Sequence, residues 1–466
     1  CSQPLFSKDR RYSALSSIDA TVDSEMGNLV ADLQTLIRQP SVSAKKVGLS
    51  ECAGLVANMM RKSGIKSEIL HLDDRSIPPI VYGEVRSKSN PNRTILFYNH
   101  YDVQPEEPLE LWENDPFSGK VEGNYVYGRG SADDKGELIT RIKAVQYLLK
   151  QTGDVPCNVK FIVEGEEEIG SVHVEDYLRK YHDRLCCDGV IWEFGYVDAK
   201  DRPIISLGMK GLLYVELIAR GPSVDAHSSL AVIIENPAWR LVAALATMRD
   251  QDGRILIKDW YSEARAFTEQ ENSVIASEPF DEQGFMKEYG IGRFVGDARG
   301  SDVKKALVGM PTCNIAGFNS GYIGEGAKTV LPSHAMVKID FRLIPDMVPE
   351  KQLDRLRNHL NEHGFDDIEV KFIHGEAAAR TPISDPFVRQ VEQAAKETFG
   401  SAIISVSSAG TGPMYSFVKV LAAPCISIGG TYTFARIHSP NEFARIDLLN
   451  KTTKCIGRII AKFASG

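Results

Sequence analysis

The chain has 466 residues, 43% hydrophobic and 25% charged, which excludes a disordered, collagen-like or disulfide-dominated protein and leaves room for roughly three domains, or two with one enlarged. Its 54 Lys and Arg against 62 Asp and Glu give a formal charge of −8, which offers a polyphosphate no overall attraction and sets nucleic acid aside as a partner. No apolar stretch approaches the ~18 residues that a membrane span requires, so the membrane is set aside as well.

Met26, Leu29, Val30, Leu33, Leu36 and Ile37 recur at helical spacing until Pro40 stops the run, and Cys52, Leu55, Val56, Met59 and Met60 repeat the pattern up to Gly64. Strands are predicted at Ile80 to Val85, Thr94 to Tyr98 and Val159 to Val163, with a helix from Glu137 to Lys150 between the last two. A further strand spans Val190 to Trp192. Alternation of this kind argues for an α/β domain with a mixed, mostly parallel sheet and helices on both faces. The order then changes. A strand over Leu213 to Ala219, a helix over Ala238 to Met248, a long strand over Val330 to Leu343, a helix over Pro349 to His363 and a strand over Ile368 to Ile373 make a smaller α+β unit. From about Arg380, the segments Phe387 to Phe399, Val420 to Ile428 and Leu448 to Phe463 return to α/β character. One domain therefore interrupts another, with residues 1–212 and 380–466 forming the first and 213–379 the insertion.

Several polar segments stand where strands end. His100-Tyr101-Asp102 follows an apolar run, which puts the imidazole at a strand's carboxyl end, where open α/β sheets build their sites. Asp102 is placed to orient the ring through its other nitrogen, as carboxylates do for metal-binding histidines. The same spacing at His71 and Asp73 shows that the pattern alone is not decisive. Asp133 and Asp134 lie in the glycine-rich stretch Gly128 to Gly136, where an Asp is ordinarily an N-cap but three glycines also fit a tightly turned site loop. Glu164, Glu166, Glu167 and Glu168 read either as a solvated face or as carboxylates crowded at a strand end, and such crowding is unfavourable without a cation. Glu193 again ends a strand, and His438 sits in a late loop. No Gly-x-Ser-x-Gly elbow, P-loop or dinucleotide fingerprint is present.

Together, His100-Tyr101-Asp102, Gly128 to Gly136, Glu164 to Ser171 and His438-Ser439-Pro440-Asn441-Glu442 resemble the di-zinc metallopeptidase and amidohydrolase family of carnosinase, glutamate carboxypeptidase and aminoacylase. Ala226-His227-Ser228, Pro311 to Gly317 and Phe341 to Pro345 look most like its carnosinase-type dipeptidase branch. The resemblance implies two Zn2+ per subunit, with Mn2+ or Co2+ as substitutes. Asp133 would bridge them, His100 and Glu193 holding one and Glu168 and His438 the other, with Glu167 as general base. It further implies that the inserted unit is a lid and dimerisation domain, and that His227 reaches the partner subunit's site to stabilise the oxyanion. Arg342 would grip the substrate's free carboxylate, Gly410 and Thr411 would complete that pocket, and Asp134 would follow Asp133 through a cis peptide. Glu193 departs from the carnosinase branch, which usually has Asp there; Glu is more typical of the carboxypeptidase and acyl-amino-acid hydrolase relatives.

The expectation is a homodimeric exopeptidase for dipeptides or short peptides with a free C-terminal carboxylate. The alternatives are an N-acyl-amino-acid amidohydrolase and, from a different class, an inactive binding scaffold, which would require a missing ligand or base. The eight cysteines contain no Cys-x-x-Cys and are too few for a disulfide framework, so they read as reduced thiols of a cytoplasmic protein. The start at Cys1 rather than Met marks a processing or expression boundary, a lipid-modified terminus being the less favoured reading.

Overall fold

In the computed structural model the described backbone runs over residues 8–465 and the described side chains over 18–465; Cys1 lies outside both. The chain divides into two compact units, one formed by the described residues up to Gly208 with Thr381–Ser405 and Pro413 onward, the other by Met209–Arg380 with Val406–Gly412.

The first unit is built on an eight-stranded mixed sheet in the order Lys66–Leu70, Ile80–Val85, Asn158–Glu164, Thr94–His100, Gly189–Trp192, Cys425–Ser427, Ile204–Ser206, Ile403–Ser405. The two outermost strands on one side run antiparallel to their neighbours, while the centre is parallel. Thr94–His100 shows why both faces must be covered, since every residue after Thr94 is buried. Phe97 joins the core that holds the helices Lys8–Ile37, Lys135–Thr152, Pro386–Phe399 and Ile446–Phe463. Tyr98, pointing the opposite way as strand alternation demands, packs with tilted rings against Trp192 and against Phe417 of the helix Met414–Leu421. A continuous apolar run is what a central parallel strand requires.

The parallel register decides where the chemistry falls. Thr94 pairs with Asn158 and His100 with Glu164, and Phe97 lies beside Ile191. Three neighbouring strands therefore finish at one edge, and each is followed at once by polar residues.

The second unit is a four-stranded antiparallel sheet ordered Asn314–Ser320, His334–Leu343, Gly211–Arg220, Glu369–Glu376. Its two long central strands alternate buried and half-buried positions. The buried set packs with Leu241, Ala244 and Met248 of the helix Pro237–Met248 and Leu356 and Leu360 of the helix Pro349–Glu362. The long strand expected over Val330 to Leu343 is broken into Val330–Leu331 and His334–Leu343, because Pro332 has no N–H to give to a ladder. The segment Val420 to Ile428 likewise divides into the end of a helix at Leu421 and the strand Cys425–Ser427. Three helices, Glu269–Ser277, Glu282–Glu288 and Ser301–Gly309, and the edge strand Asn314–Ser320 had no counterpart in the sequence reading. Among the described residues no helix is long and apolar enough to cross a membrane, and the described cysteines are all free.

Candidate metal centre

His100 ends its strand fully buried, its Nδ1 3.0 Å from the carbonyl oxygen of Asp102 and 3.3 Å from that residue's Oδ1. Its Nε2 is left to face the Asp133 Oδ1 at 3.1 Å and the Glu193 Oε2 at 3.9 Å. On the other side of Asp133, Oδ2 lies 3.1 Å from His438 Nε2, which is also 3.0 Å from Glu168 Oε2. A single carboxylate thus presents one oxygen to each imidazole. Ligand atoms of His100, Glu167 and Glu193 lie within 4.8 Å of one another, and so do those of Asp133, Glu168 and His438. The second pair of the repeated spacing, His71 and Asp73, enters neither group; Asp73 instead pairs with Lys180.

Each member is fixed by its surroundings. Asp102 accepts the backbone N–H of Glu167 at 3.2 Å and of Glu168 at 3.1 Å, so the same residue that steadies His100 also sets the turn that carries both glutamates. Gly165 must lack a side chain there, because a Cβ would fall inside the phenol of Tyr101. Asp134 follows Asp133 through a cis peptide and does not act as an N-cap by its side chain. Its carboxylate accepts from Asn99 Nδ2 at 2.7 Å and from the His100 backbone N–H at 3.1 Å. Arg141, wholly buried, donates to the carbonyls of Tyr98 and Trp192 and so ties two strand ends together.

Glu442 closes the motif that begins at His438, but the sequence alone assigns it no role. It is buried, and its carboxylate accepts Arg129 Nη1 at 2.8 Å and the backbone N–H groups of Gly130, Ala132 and Asp133 at 3.1, 3.0 and 3.1 Å. Its position four residues after His438 was the available signal, since a charged residue so close to a site loop needs a partner. In that loop Arg436, His438 and Asn441 hold φ values of +58°, +57° and +62°, a left-handed backbone uncommon outside glycine.

The electrostatics are those of an acidic cluster. Burial pushes the Glu167 carboxyl well up, with His100 opposing and Glu168 and Asp133 adding to the rise. Burial and the neighbouring Glu167 do the same to Glu193. Burial would raise Asp133 too, but hydrogen bonds from His100 and His438 outweigh it and hold it well below the usual range. Glu193 Oε2 is a buried oxygen with no hydrogen-bond partner. Four carboxylates and two imidazoles with an orphaned oxygen fit two divalent cations, whose charge would favour the ionised forms of Glu167 and Glu193 against the burial that raises them. Oxygen and nitrogen donors suit zinc, manganese or cobalt.

The remaining predicted residues belong to the second unit. His227 is exposed on the short strand Ala226–His227, its Nδ1 accepting the Ser229 N–H. Arg342 donates through Nη1 to Thr411 Oγ1 at 2.7 Å, and Thr411 Oγ1 donates to the Gly211 carbonyl at 3.2 Å, so two residues far apart in sequence meet. The Gly410 N–H is occupied by Ser408 Oγ at 3.1 Å.

Two neighbouring groups of side chains able to hold cations, most of them at the carboxyl edge of an α/β sheet, fit a metal-dependent hydrolase. The chain belongs to peptidase family M20/M25/M40, whose model it matches over residues 96–462. It is a peptide hydrolase. It is similar to the Cys-Gly metallodipeptidase of Schizosaccharomyces pombe, with 29% identity over 371 residues covering 75% of this chain and 76% of the relative. Among solved structures it resembles the M20 family metallo-carboxypeptidase Sso-CP2 of Sulfolobus solfataricus, with a TM-score of 0.86 and 36% identity over 94% of this chain and 99% of that one. Human carnosine dipeptidase 1 has a TM-score of 0.76 and 25% identity over 97% and 100%.

Proposed function

We propose that the protein is a two-zinc exopeptidase that hydrolyses dipeptides at the bond next to a free C-terminal carboxylate. The observation that carries this reading is Asp133, whose two oxygens face His100 and His438 at 3.1 Å each. His100, Glu193, Glu168 and His438 would hold the two ions, with Asp133, which faces both imidazoles, shared between them. Ions held there would supply Lewis acidity to a water molecule and to the scissile carbonyl. Glu167, held by the Asp102 carboxylate through its own N–H, takes a proton from the attacking water. The same carboxyl then gives the proton to the departing amine nitrogen as the C–N bond breaks. Asp102 keeps His100 in the tautomer whose Nε2 is free to bind. Arg342 and Thr411 receive the substrate carboxylate, a task suited to a guanidinium.

Two of the similar proteins bear the names Cys-Gly metallodipeptidase and metallo-carboxypeptidase, and cleavage beside a carboxylate terminus is common to both names. The protein works as a cytoplasmic homodimer joined through the second unit, where His227 serves the partner subunit's site by stabilising the oxyanion. Two features of that unit support the association: the edge strand Asn314–Ser320, paired on one side only among the described residues, and Trp239 and Ile233, 72% and 78% exposed. The test is a dipeptide library assayed beside N-acyl amino acids, with and without a chelator, on the wild type and on Glu167→Gln. Metal-dependent dipeptide cleavage that Glu167→Gln abolishes while retaining its metal is the expected result. Turnover surviving that substitution removes the base, and cleavage of acyl amino acids alone removes the substrate class.

A further inference from the structure

Lys210 lies between the two strands Gly208–Met209 and Gly211–Arg220 and has no place in the chemistry described so far. It is only 3% exposed, and its Nζ donates to the Met310 carbonyl. Among the described residues no carboxylate lies within ion-pair distance of it. Its strongest charged neighbour is Arg342, another cation, and burial together with that repulsion brings its pKa down to about 8. A buried, uncompensated cation beside a second one is unfavourable unless an anion completes the site. Arg342 has an acidic neighbour of its own, Asp340, 4.0 Å from Nε.

The backbone fixes this arrangement. Leu212 stands directly opposite Arg342 in the antiparallel ladder, so Lys210, two residues earlier, occupies the diagonal position, where cross-strand neighbours on one face remain within reach of long side chains. The loop that carries Thr411 is fastened on both sides of Lys210: Met209 bridges to Ser408, the Lys210 N–H donates to the Ser408 carbonyl at 3.3 Å, and Thr411 Oγ1 donates to the carbonyl of Gly211. The lysine is therefore bracketed by the contacts that seat Thr411, which in turn accepts from Arg342.

We propose that Lys210 is a specificity-determining residue for the substrate carboxylate, the second cation of a receptor whose other members are Arg342 and Thr411. This inference rests on the peptidase reading above. Counted with Asp340, which offsets the Arg342 charge, Lys210, Arg342 and Thr411 leave one net positive charge, which matches a single carboxylate. The consequence is selectivity for a free acid over its neutral amide.

The experiment compares kcat and KM for a dipeptide and its C-terminal amide, with metal-loaded wild type, Lys210→Met and Lys210→Arg. Lys210→Met keeps the apolar stem and removes the charge. It should lower the preference for acid over amide at least about tenfold, the size of a lost charge-assisted hydrogen bond, chiefly by raising KM for the acid. Lys210→Arg should restore the preference, which a purely structural lysine would not predict. An unchanged preference in a folded Lys210→Met overturns the inference. Should Lys210→Met fail to fold, the same ratio read on Lys210→Gln decides it with the same two outcomes. A wild type that cleaves no dipeptide is the distinct result that overturns the peptidase reading instead.

Discussion

Glu442→Gln tests whether the loop that presents Asp133 is held by charge. Glu442 Oε2 takes Arg129 Nη1 and the Gly130 N–H, while Oε1 takes the N–H groups of Ala132 and Asp133. A glutamine of the same shape keeps one acceptor oxygen and turns an NH2 group towards two donors, whichever way the amide is placed. Two buried donors lose their acceptor at ~1–3 kcal/mol each, and an unpaired buried Arg129 brings the cost of a broken buried ion pair to ~3–5 kcal/mol. These figures overlap rather than add, so a loss of about 3–5 kcal/mol is expected in urea unfolding of the metal-free protein. Asp133 is the residue displaced, so metal affinity measured by chelator competition should weaken ~10- to 100-fold, as it does when residues that orient ligands are removed. A stability loss under ~1 kcal/mol with unaltered affinity would show that the Asp133 loop is held some other way, and would refute the argument.

Three further outcomes follow from the same geometry. Burial lifts the Glu137 carboxyl from 4.5 to about 7, so between those values the folded protein binds a proton that the unfolded chain has released. Stability therefore falls as pH rises through that window, by about 3 kcal/mol at most, and Glu137→Gln should flatten the decline; parallel urea-midpoint profiles for the two proteins would contradict the sign. The His438 side chain is 50% exposed and that of His100 is fully buried, so a limiting chelator should strip the Glu168–His438 position first, and His438→Ala should keep one ion per chain. Release of both ions in one phase would oppose this order. Trp239→Glu should convert the proposed dimer to monomer by light scattering and, with His227→Ala, should cut turnover without lowering metal content, whereas a monomeric wild type would exclude the shared site.

Much of the fold was legible because its signals are local. The central strand Thr94–His100 reads as a continuous apolar run, and helices such as Pro349–Glu362 carry a strong apolar period that matches their buried face. The helices between Glu269 and Gly309 escaped because they are short and bury few residues, so their pattern hardly differs from a loop's. The strand Asn314–Ser320 escaped for a related reason: as an edge with both faces largely open, it lacks the alternation that a half-buried strand shows.

The site divides along the same line. His100, Glu167, Glu168 and Glu193 follow directly from strand ends, and strand ends can be read. Nothing local assigns Asp133 rather than Asp134, since each stands before the same helix. Their roles separate only through contacts across the chain. Asp134 is drawn inward by Asn99 and the His100 N–H, while Asp133 is turned out between two imidazoles by the hold that Glu442 keeps on its backbone. Glu442 and His438 belong to one loop, so the segment that supplies the exposed imidazole also fixes the carboxylate facing it. Sequence spacing of 309 residues between Asp133 and Glu442 hides that coupling from any local pattern. On the proposed two-metal reading, a loop that brings both its own imidazole and the clamp for Asp133 needs only one correct docking event to complete both halves of the centre.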